Sequence, residues 1–295
     1  MAQAHTQPQA VPLPESRFAR FELDRILDYL GYVILIVYSG IAIFPVLLIL
    51  LNSVKSRRAV FSSPYSLPNP LDFNGYNTVF ARGNFVRYFG NSLFVTITVL
   101  FLVLVLGSMA AYGLSEYRFR GNALLAIFFS LGIMIPIRLG TVSLVRLMRT
   151  LELQGTLWSL IIVYTAMGLP LTIFILSGFM SEIPRDLKDA ARVDGASEYR
   201  IYWMLVLPLV RPALATVAVF HMIPVWNDLW WPLVLAPAES TRTITLGVSE
   251  FVGQFKTDWS ALLAALSIGM MPVLILYAVF SRQLIRGLTR GAVKQ

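Results

Sequence analysis

Apolar residues occur along this sequence in long runs separated by shorter polar segments. A helix needs about 20 mostly apolar residues to cross the hydrocarbon core of a bilayer. On this criterion the sequence predicts about six membrane-spanning helices, of which the third is short and ends at Pro136. The predicted spans cover approximately residues 29–51, 88–114, 123–137, 157–179, 209–235 and 259–280.

Two other segments border these spans. The stretch 139–153 is less apolar and follows Arg138, so we interpret it as an interfacial or re-entrant helix at the outer face. The first apolar run is too long for the apolar core of a signal peptide. We therefore expect residues 1–27 to be a cytoplasmic tail, residues 28–284 to be the membrane domain, and residues 285–295 to be a C-terminal tail.

Composition supports this interpretation and excludes several others. Of 295 residues, 57% are hydrophobic and 14% are charged, whereas a soluble domain is about 45–50% apolar and about 25% charged. The chain has no cysteine and two histidines, so we expect neither a disulfide framework nor a metal site. The predicted fold class is an all-α polytopic membrane protein.

The net charge of +8 is better explained by topology than by nucleic-acid binding. Basic residues precede the first span, follow the second, separate the fourth from the fifth, and follow the sixth. With six spans these segments share one side, which the positive-inside rule makes cytoplasmic. Both termini are therefore predicted to be cytoplasmic, although the first outer loop also carries Lys55, Arg57, Arg58, Arg82 and Arg87.

The segment between the fourth and fifth spans differs from an ordinary loop. Pro184 cannot continue a helix, Arg185–Val193 has an amphipathic pattern, and Gly195 permits a sharp turn with positive φ. Such a helix pair suits docking into a groove of a soluble partner, or resting on lipid headgroups; the Asp194-Gly195-Ala196 turn favours the partner. Leu187, Ala190, Ala191 and Val193 lie on or near one stripe of the first helix, whose inner face is predicted to carry small residues. The second helix, Ser197–Leu207, carries Tyr199, Tyr202 and Trp203.

This segment resembles the EAA loop of importer-type ABC permeases. Asp189-Ala190-Ala191 stands at the Glu-Ala-Ala position, Gly195 at the family glycine, and Leu205-Val206-Leu207-Pro208 follows at the family interval. Further motifs resemble the carbohydrate branch, and in particular the smaller maltose-type permease. These are Asn91-Ser92, AAYGLSEYRFRG at 110–121, WNDLWWPL at 226–233, RTITLG at 242–247 and RQLIRGLTRGAVK at 282–294; Asp189 in place of Glu and Gln295 in place of Gly are departures.

The resemblance implies a type I ABC importer membrane domain that performs no catalysis itself. It implies a second homologous permease subunit, two copies of an ATPase subunit that carry ATP and Mg, an extracytoplasmic sugar-binding protein, and surrounding lipid of a bacterial inner membrane. No Walker-type phosphate-binding sequence occurs in this chain, which agrees with ATP hydrolysis on a partner. The residues implied to contact the ATPase are Asp189, Ala190, Ala191, Asp194, Gly195, Tyr199, Tyr202, Trp203 and Pro208.

The C-terminal residues 286–295 have two interpretations. Without the resemblance, they form a solvated basic anchor that follows the positive-inside rule. With it, Gly287, Gly291 and Lys294 contact the ATPase.

A substrate path is expected where polar residues and aromatic rings interrupt the apolar spans. Asn and Asp within a span require a cavity or polar partners, and rings beside amides suit a sugar. An interfacial aromatic belt or helix packing explains the tryptophans equally well, and a lone His221 is expected to be a packing residue. The candidates are Trp226, Asn227, Asp228 and Trp230 in the fifth span, Asn91 and Ser92 in the second, and Tyr164 in the fourth.

Two other functions remain as alternatives. An ion-coupled secondary transporter carries ionisable residues near the midplane and paired repeats, but Asp228 is the one acid well inside a predicted span, and no internal repeat is evident. A membrane enzyme requires a cluster of catalytic groups, and the sequence assembles none. The identity of the sugar is not encoded in any motif of this chain.

Overall fold

The computed structural model describes residues 15–81, 84–252 and 257–292, with side chains described between residues 28 and 279. Within these ranges the structure is helical and contains no β-strand, which confirms the predicted fold class. The chain divides into two units, Met1–Leu51 and Asn52–Gln295. The helices are α1 (Glu15–Ser53), α2 (Arg57–Ser62), α3 (Asn74–Ala81), α4 (Phe85–Glu116), α5 (Asn122–Met134), α6 (Thr141–Thr150), α7 (Leu157–Ser181), α8 (Arg185–Val193), α9 (Glu198–Ile201), α10 (Leu207–Leu209), α11 (Arg211–Asn227), α12 (Trp230–Leu235), α13 (Ile244–Val248) and α14 (Trp259–Ala292).

Four of these helices contain a stretch that is long and apolar enough to cross a membrane by itself. Two further pairs pass the same test when joined across a bend, α5 with Ile137–Thr150 at 86° and Glu198–Leu209 with α11 at 75°. Counting each bent pair as one span gives six, in agreement with the number predicted. The single-helix spans are Asp28–Ser53, Phe85–Glu116, Leu157–Ser181 and Trp259–Val279.

The fifth span ends at Asn227, and its predicted end near residue 235 is wrong. Asp228 interrupts the helix because its carboxylate accepts hydrogen bonds from the backbone N–H groups of Trp230 (3.3 Å) and Trp231 (3.0 Å). An aspartate that caps the first turn of a new helix has extended backbone geometry itself, and Asp228 has ψ 134°. The chain therefore restarts as α12.

The polar stretch after the third span forms a short helix, as predicted. Pro136 lies at the bend, where α5 ends at Met134 and a single 3₁₀ turn, Ile137–Gly140, leads into α6. Proline disfavours helical geometry in the residue before it, and Ile135 is accordingly extended, with ψ 122°.

Helix α4 packs along α7 and forms the centre of the second unit. The two backbones approach closely at Gly107, where a Cβ atom would lie 2.4 Å from Cγ2 of Thr172. Val95, Val99 and Val103 of α4 are buried against Leu160 and Ile161 of α7. A second buried cluster joins the end of α4 to α7, α9 and α11, and a third joins its beginning to α3, α13 and α14.

Candidate functional site

The segment 181–208, here called the two-helix loop, is organised around a glycine turn. Gly195 has φ +80°, a conformation that side chains with a Cβ rarely adopt. Its N–H donates to the Arg192 carbonyl (3.0 Å), and the N–H of Ala196 donates to the Ala191 carbonyl (2.9 Å). These two bonds form a Schellman motif, which ends α8 with its last carbonyls satisfied.

The second helix of the loop begins with a capped turn and contains a bulge. The Ser197 hydroxyl accepts from the N–H of Arg200, so the predicted helix start is present. Residues Tyr202–Val206 form a π-helical turn in which the N–H of Leu207 donates to the Tyr202 carbonyl. Pro208 has no N–H to continue a regular ladder, and π turns of this kind are frequent at functional sites.

Ionic contacts attach the two-helix loop to the last residue of α4. The Glu116 carboxylate, 9% exposed, accepts from Lys188 and from Nη2 of Arg192 (2.6 Å). Arg192 also donates to Asp189 (2.6 Å) and Glu198 (2.8 Å). One guanidinium therefore joins α4, α8 and α9.

Two tyrosines extend this ion network. The hydroxyls of Tyr112 and Tyr117 donate to Oε2 of Glu198 at 2.9 and 2.8 Å. The hydrogen bonds from Arg192, Tyr117 and Tyr112 lower the pKa of Glu198 to about 2, so the carboxylate is ionised at neutral pH. Burial and the nearby Glu198 raise the pKa of Tyr117.

The orientation of α8 differs from the sequence prediction. Lys188 is buried at 5% exposure, whereas Leu187 and Val193 are 48% and 88% exposed. The prediction that small residues form the inner face is wrong, because Lys188 and Arg192 turn toward Glu116 and place the apolar stripe outward. Ala190 is exposed as well, and Ala191 is half-buried.

The aromatic residues of the loop divide between two environments. Tyr199 and Trp203 are exposed at 75% and 49%, together with Met204. Tyr202 is buried, and its hydroxyl lies 2.7 Å from the hydroxyl of Ser108 on α4. Tyr202 thus attaches the loop to its own chain, while Tyr199 and Trp203 remain accessible.

A cavity of about 480 Å³ lies between α7, α11 and the bend after α5; its wall is mostly apolar, and it is here called the polar cavity for the charged and polar side chains that also line it. The Tyr164 hydroxyl donates to Oδ2 of Asp228 (2.8 Å), and Arg138 lies 3.7 Å from Oδ1. His221 contributes Nε2 to a 2.8 Å hydrogen bond with Thr172. Of the predicted path residues, Tyr164, Asn227 and Asp228 line this cavity.

The remaining path candidates lie elsewhere. Trp226 is buried, and its Nε1 donates to the Gly269 carbonyl (2.8 Å), so it is a packing residue in this chain. Trp230 is half exposed and donates to Thr141 of α6 (3.2 Å). Asn91 and Ser92 contact the segment that follows α12 and do not line the cavity.

These contacts fix the beginning of α4 to residues 236–250, here called the 236–250 segment. The Asn91 amide donates to the carbonyls of Ser240 (3.0 Å) and Arg242 (2.9 Å). The buried Ser92 hydroxyl accepts from the N–H of Ile244 (2.8 Å). Arg242 forms an ion pair with Glu250.

The C-terminal candidates are only partly within the described residues. Gly287 and Gly291 belong to the backbone of α14, and Lys294 lies outside the described residues. In the part of the chain that the structure describes, no three His, Asp or Glu residues are placed to hold a metal ion.

Sequence reasoning missed the ion network and the role of Arg138. Tyr112, Glu116 and Tyr117 lie within the AAYGLSEYRFRG motif, but a motif does not specify which side chains meet. A signal was available in Ser108, Tyr112 and Glu116, since polar residues at i, i+4 and i+8 share one face of a helix.

The fold and these sites define a polytopic membrane transport protein. Residues 103–290 match the family described as "Binding-protein-dependent transport system inner membrane component". The chain belongs to this family. The resemblance predicted from the two-helix loop and the flanking motifs is therefore confirmed.

Relatives and solved structures agree with the family match. The chain is 33% identical over 273 residues to the diacetylchitobiose uptake system permease protein NgcG of Streptomyces coelicolor, covering 92% of this chain and 90% of that protein. It is 32% identical over 270 residues to a probable starch degradation products transport system permease, AmyC, of Thermoanaerobacterium thermosulfurigenes (92% and 97%). A chain of a bacterial ABC transporter for import of the acidic polysaccharide alginate superposes with a TM-score of 0.78 at 25% identity (88% and 96%). Such proteins are permease subunits, and this chain is a non-catalytic membrane component.

Proposed function

We propose that this chain is one permease subunit of an ATP-driven, binding-protein-dependent sugar importer. The observation that carries the proposal is the two-helix loop, which is fixed to α4 by ion pairs while presenting Leu187, Val193, Tyr199 and Trp203 outward. Exposed apolar and aromatic side chains on a rigid support suit a protein partner. The carbohydrate permeases to which the chain is similar support a sugar as substrate.

The partner of this surface is an ATPase subunit that carries ATP and Mg. Asp189 is exposed and bound to Arg192, a guanidinium that Glu116 and Glu198 share, so its charge is only partly compensated, and the apolar side chains supply the rest of the contact. Gly195 is the turn on which the surface depends, and Ala190, Ala191, Asp194 and Pro208 complete it. Gly287, Gly291 and Lys294 form a second contact with the ATPase.

The complete importer contains a second permease, two ATPase copies and an extracytoplasmic sugar-binding protein in the inner membrane. In this arrangement the two-helix loop and both termini are cytoplasmic, and the 236–250 segment is on the outer side. The domain limits 1–27, 28–284 and 285–295 describe the tail, the membrane domain and the C-terminal tail.

The polar cavity is the part of the sugar path that this chain contributes. Asp228 already accepts three hydrogen bonds, from Tyr164 and two backbone N–H groups. The donors that remain for sugar hydroxyls come from Arg138, whose side chain is 69% exposed, and from the second N–H of the Asn227 amide, whose first N–H donates to the Ile223 carbonyl (3.0 Å).

The test is the substitution Gly195→Val in the reconstituted complex. A valine at φ +80° is strongly disfavoured, so the turn opens and the exposed surface is lost. We expect sugar uptake to be abolished while the variant still inserts into the membrane.

The matched control is Gly178→Val, a glycine of α7 with no atom within 4 Å of its Cβ position. It should transport as the wild type does. Wild-type uptake in Gly195→Val would contradict the coupling role. Uptake by the wild-type complex that a protonophore stops and ATP depletion leaves intact would instead favour secondary transport.

A further inference from the structure

We propose that α4 connects the two-helix loop to the wall of the polar cavity at Asp228. Glu116 and Ser92 are the positioning residues near the two ends of α4. The inference rests on the proposed function, because it describes how movement of the loop reaches the sugar path. It assigns a transmission role to residues outside the loop and the cavity.

At one end, three side chains on a single face of α4 hold the loop. Ser108, Tyr112 and Glu116 are spaced four residues apart, so they lie one above another on the helix. They contact Tyr202 (2.7 Å), Glu198 (2.9 Å) and the Lys188–Arg192 pair respectively. Charged hydrogen bonds are short and about twice as strong as neutral ones, and burial of Glu116 and Lys188 leaves little water to replace them.

At the other end, α4 holds the chain that follows α12. Ser92 accepts from the N–H of Ile244, and the hydroxyl of the next residue, Thr245, donates to the Asp228 carbonyl (2.7 Å). Asp228 in turn binds Tyr164 in the cavity wall. Hydrogen bonds and the covalent link between Ile244 and Thr245 therefore connect Ser92 to the cavity.

The helix between these ends is suited to move as one body. Its 32 residues span about 48 Å at 1.5 Å per residue. No proline lies within α4, whereas α1, α7, α11 and α14 contain Pro45, Pro170, Pro224 and Pro272. Proline is a common cause of kinks, so among these long helices α4 is the one without a proline; its Gly107-Ser108 pair, another kind of bending point, lies against Thr172 of α7.

The inference predicts uncoupling when either end is released. Glu116→Gln removes the charge that Lys188 and Arg192 share, and Ser92→Ala removes the acceptor for Ile244. Each variant, assembled with its ATPase and binding protein, should still hydrolyse ATP. The sugar transported per ATP should fall about tenfold, within the usual range of coupling between sites.

The double variant distinguishes a shared path from two local defects. If α4 transmits the movement, then Glu116→Gln combined with Ser92→Ala should lower the ratio no further than the more severe single variant. Independent local effects would multiply. Glu152→Gln, which removes an exposed carboxylate outside the network, is the control and should retain the wild-type ratio.

Each outcome is decisive. A normal ratio in either single variant, or multiplied losses in the double variant, overturns the inference while the proposed function stands. If Glu116→Gln fails to assemble, Ser92→Ala alone must lower the ratio, and a wild-type ratio there overturns the inference. If the wild-type complex shows no ATP-dependent sugar uptake, the proposed function itself fails.

Discussion

Asp228 shows how a single acidic residue is accommodated inside an apolar span. A carboxylate there is costly unless it finds partners, and Asp228 finds the Tyr164 hydroxyl and two backbone N–H groups. The same contacts end α11 and begin α12. The residue therefore shapes the cavity wall, where the exposed Arg138 side chain and the second N–H of the Asn227 amide supply hydrogen-bond donors.

Tyr164→Phe tests this assignment. Hydrogen bonds to charged groups contribute about 1.5–3 kcal/mol, so loss of the hydroxyl should lower the free energy of unfolding by that amount. The measurement is the unfolding of the purified protein in detergent. Tyr277→Phe, an exposed tyrosine of α14, is the control. Equal stabilities for the two variants would contradict the role of the Tyr164–Asp228 bond.

At the level of elements, the limits of a helix could be predicted from the sequence where residues at its own ends set them. The limits Arg185–Val193 of α8 follow from Pro184 and Gly195, and the structure has the same limits. The inward face of α8 was predicted wrongly because the pattern assumes that apolar residues turn to the core. Here Glu116, which is distant in sequence, attracts Lys188 and Arg192 instead.

Some of the residues that line the polar cavity were also predicted correctly, and others were not. The structure places three of the predicted path residues in one cavity, namely Tyr164, Asn227 and Asp228. They could be predicted because a polar residue within a span needs a cavity or polar partners. Arg138 precedes the predicted interfacial or re-entrant helix, and no local pattern shows that it meets Asp228, which is distant in sequence. Ser92 was assigned to the path, but its partner Ile244 is a backbone group that no side-chain pattern reveals.

Gly107→Ala tests the packing of α4 on α7. The added Cβ would lie 2.4 Å from Cγ2 of Thr172, so the helices must separate, at a cost of about 1–3 kcal/mol. The thermal midpoint should fall accordingly. Gly113→Ala, on the same helix with no atom within 4 Å, should leave stability unchanged or raise it slightly. Similar midpoints for both variants would show that the helices do not approach so closely.

For the whole molecule, the arrangement places the two-helix loop and the 236–250 segment at opposite ends of α11. The chain has no cysteine, so a single introduced thiol reports its side of the membrane. Val193 and Ala238 are exposed positions in the two regions.

In intact cells whose outer barrier is removed, a membrane-impermeant thiol reagent should label Ala238→Cys and not Val193→Cys. This follows from one span, α11, lying between the loop and the 236–250 segment. Permeabilised cells that produce the permease without the ATPase, which leaves Val193 uncovered, should label both variants, and this controls for reactivity. Labelling of Val193→Cys in intact cells would reverse the proposed orientation.

The outward position of Leu187 and Val193 has a consequence for the life of the subunit before assembly. Apolar side chains exposed on a surface that meets water favour aggregation until a partner covers them. Under the proposed function, a newly made copy without its ATPase carries that patch on the cytoplasmic side, where cellular chaperones and proteases operate. The two side chains that seat the partner would thus also mark an orphan subunit for degradation, and the supply of ATPase would set how much permease survives.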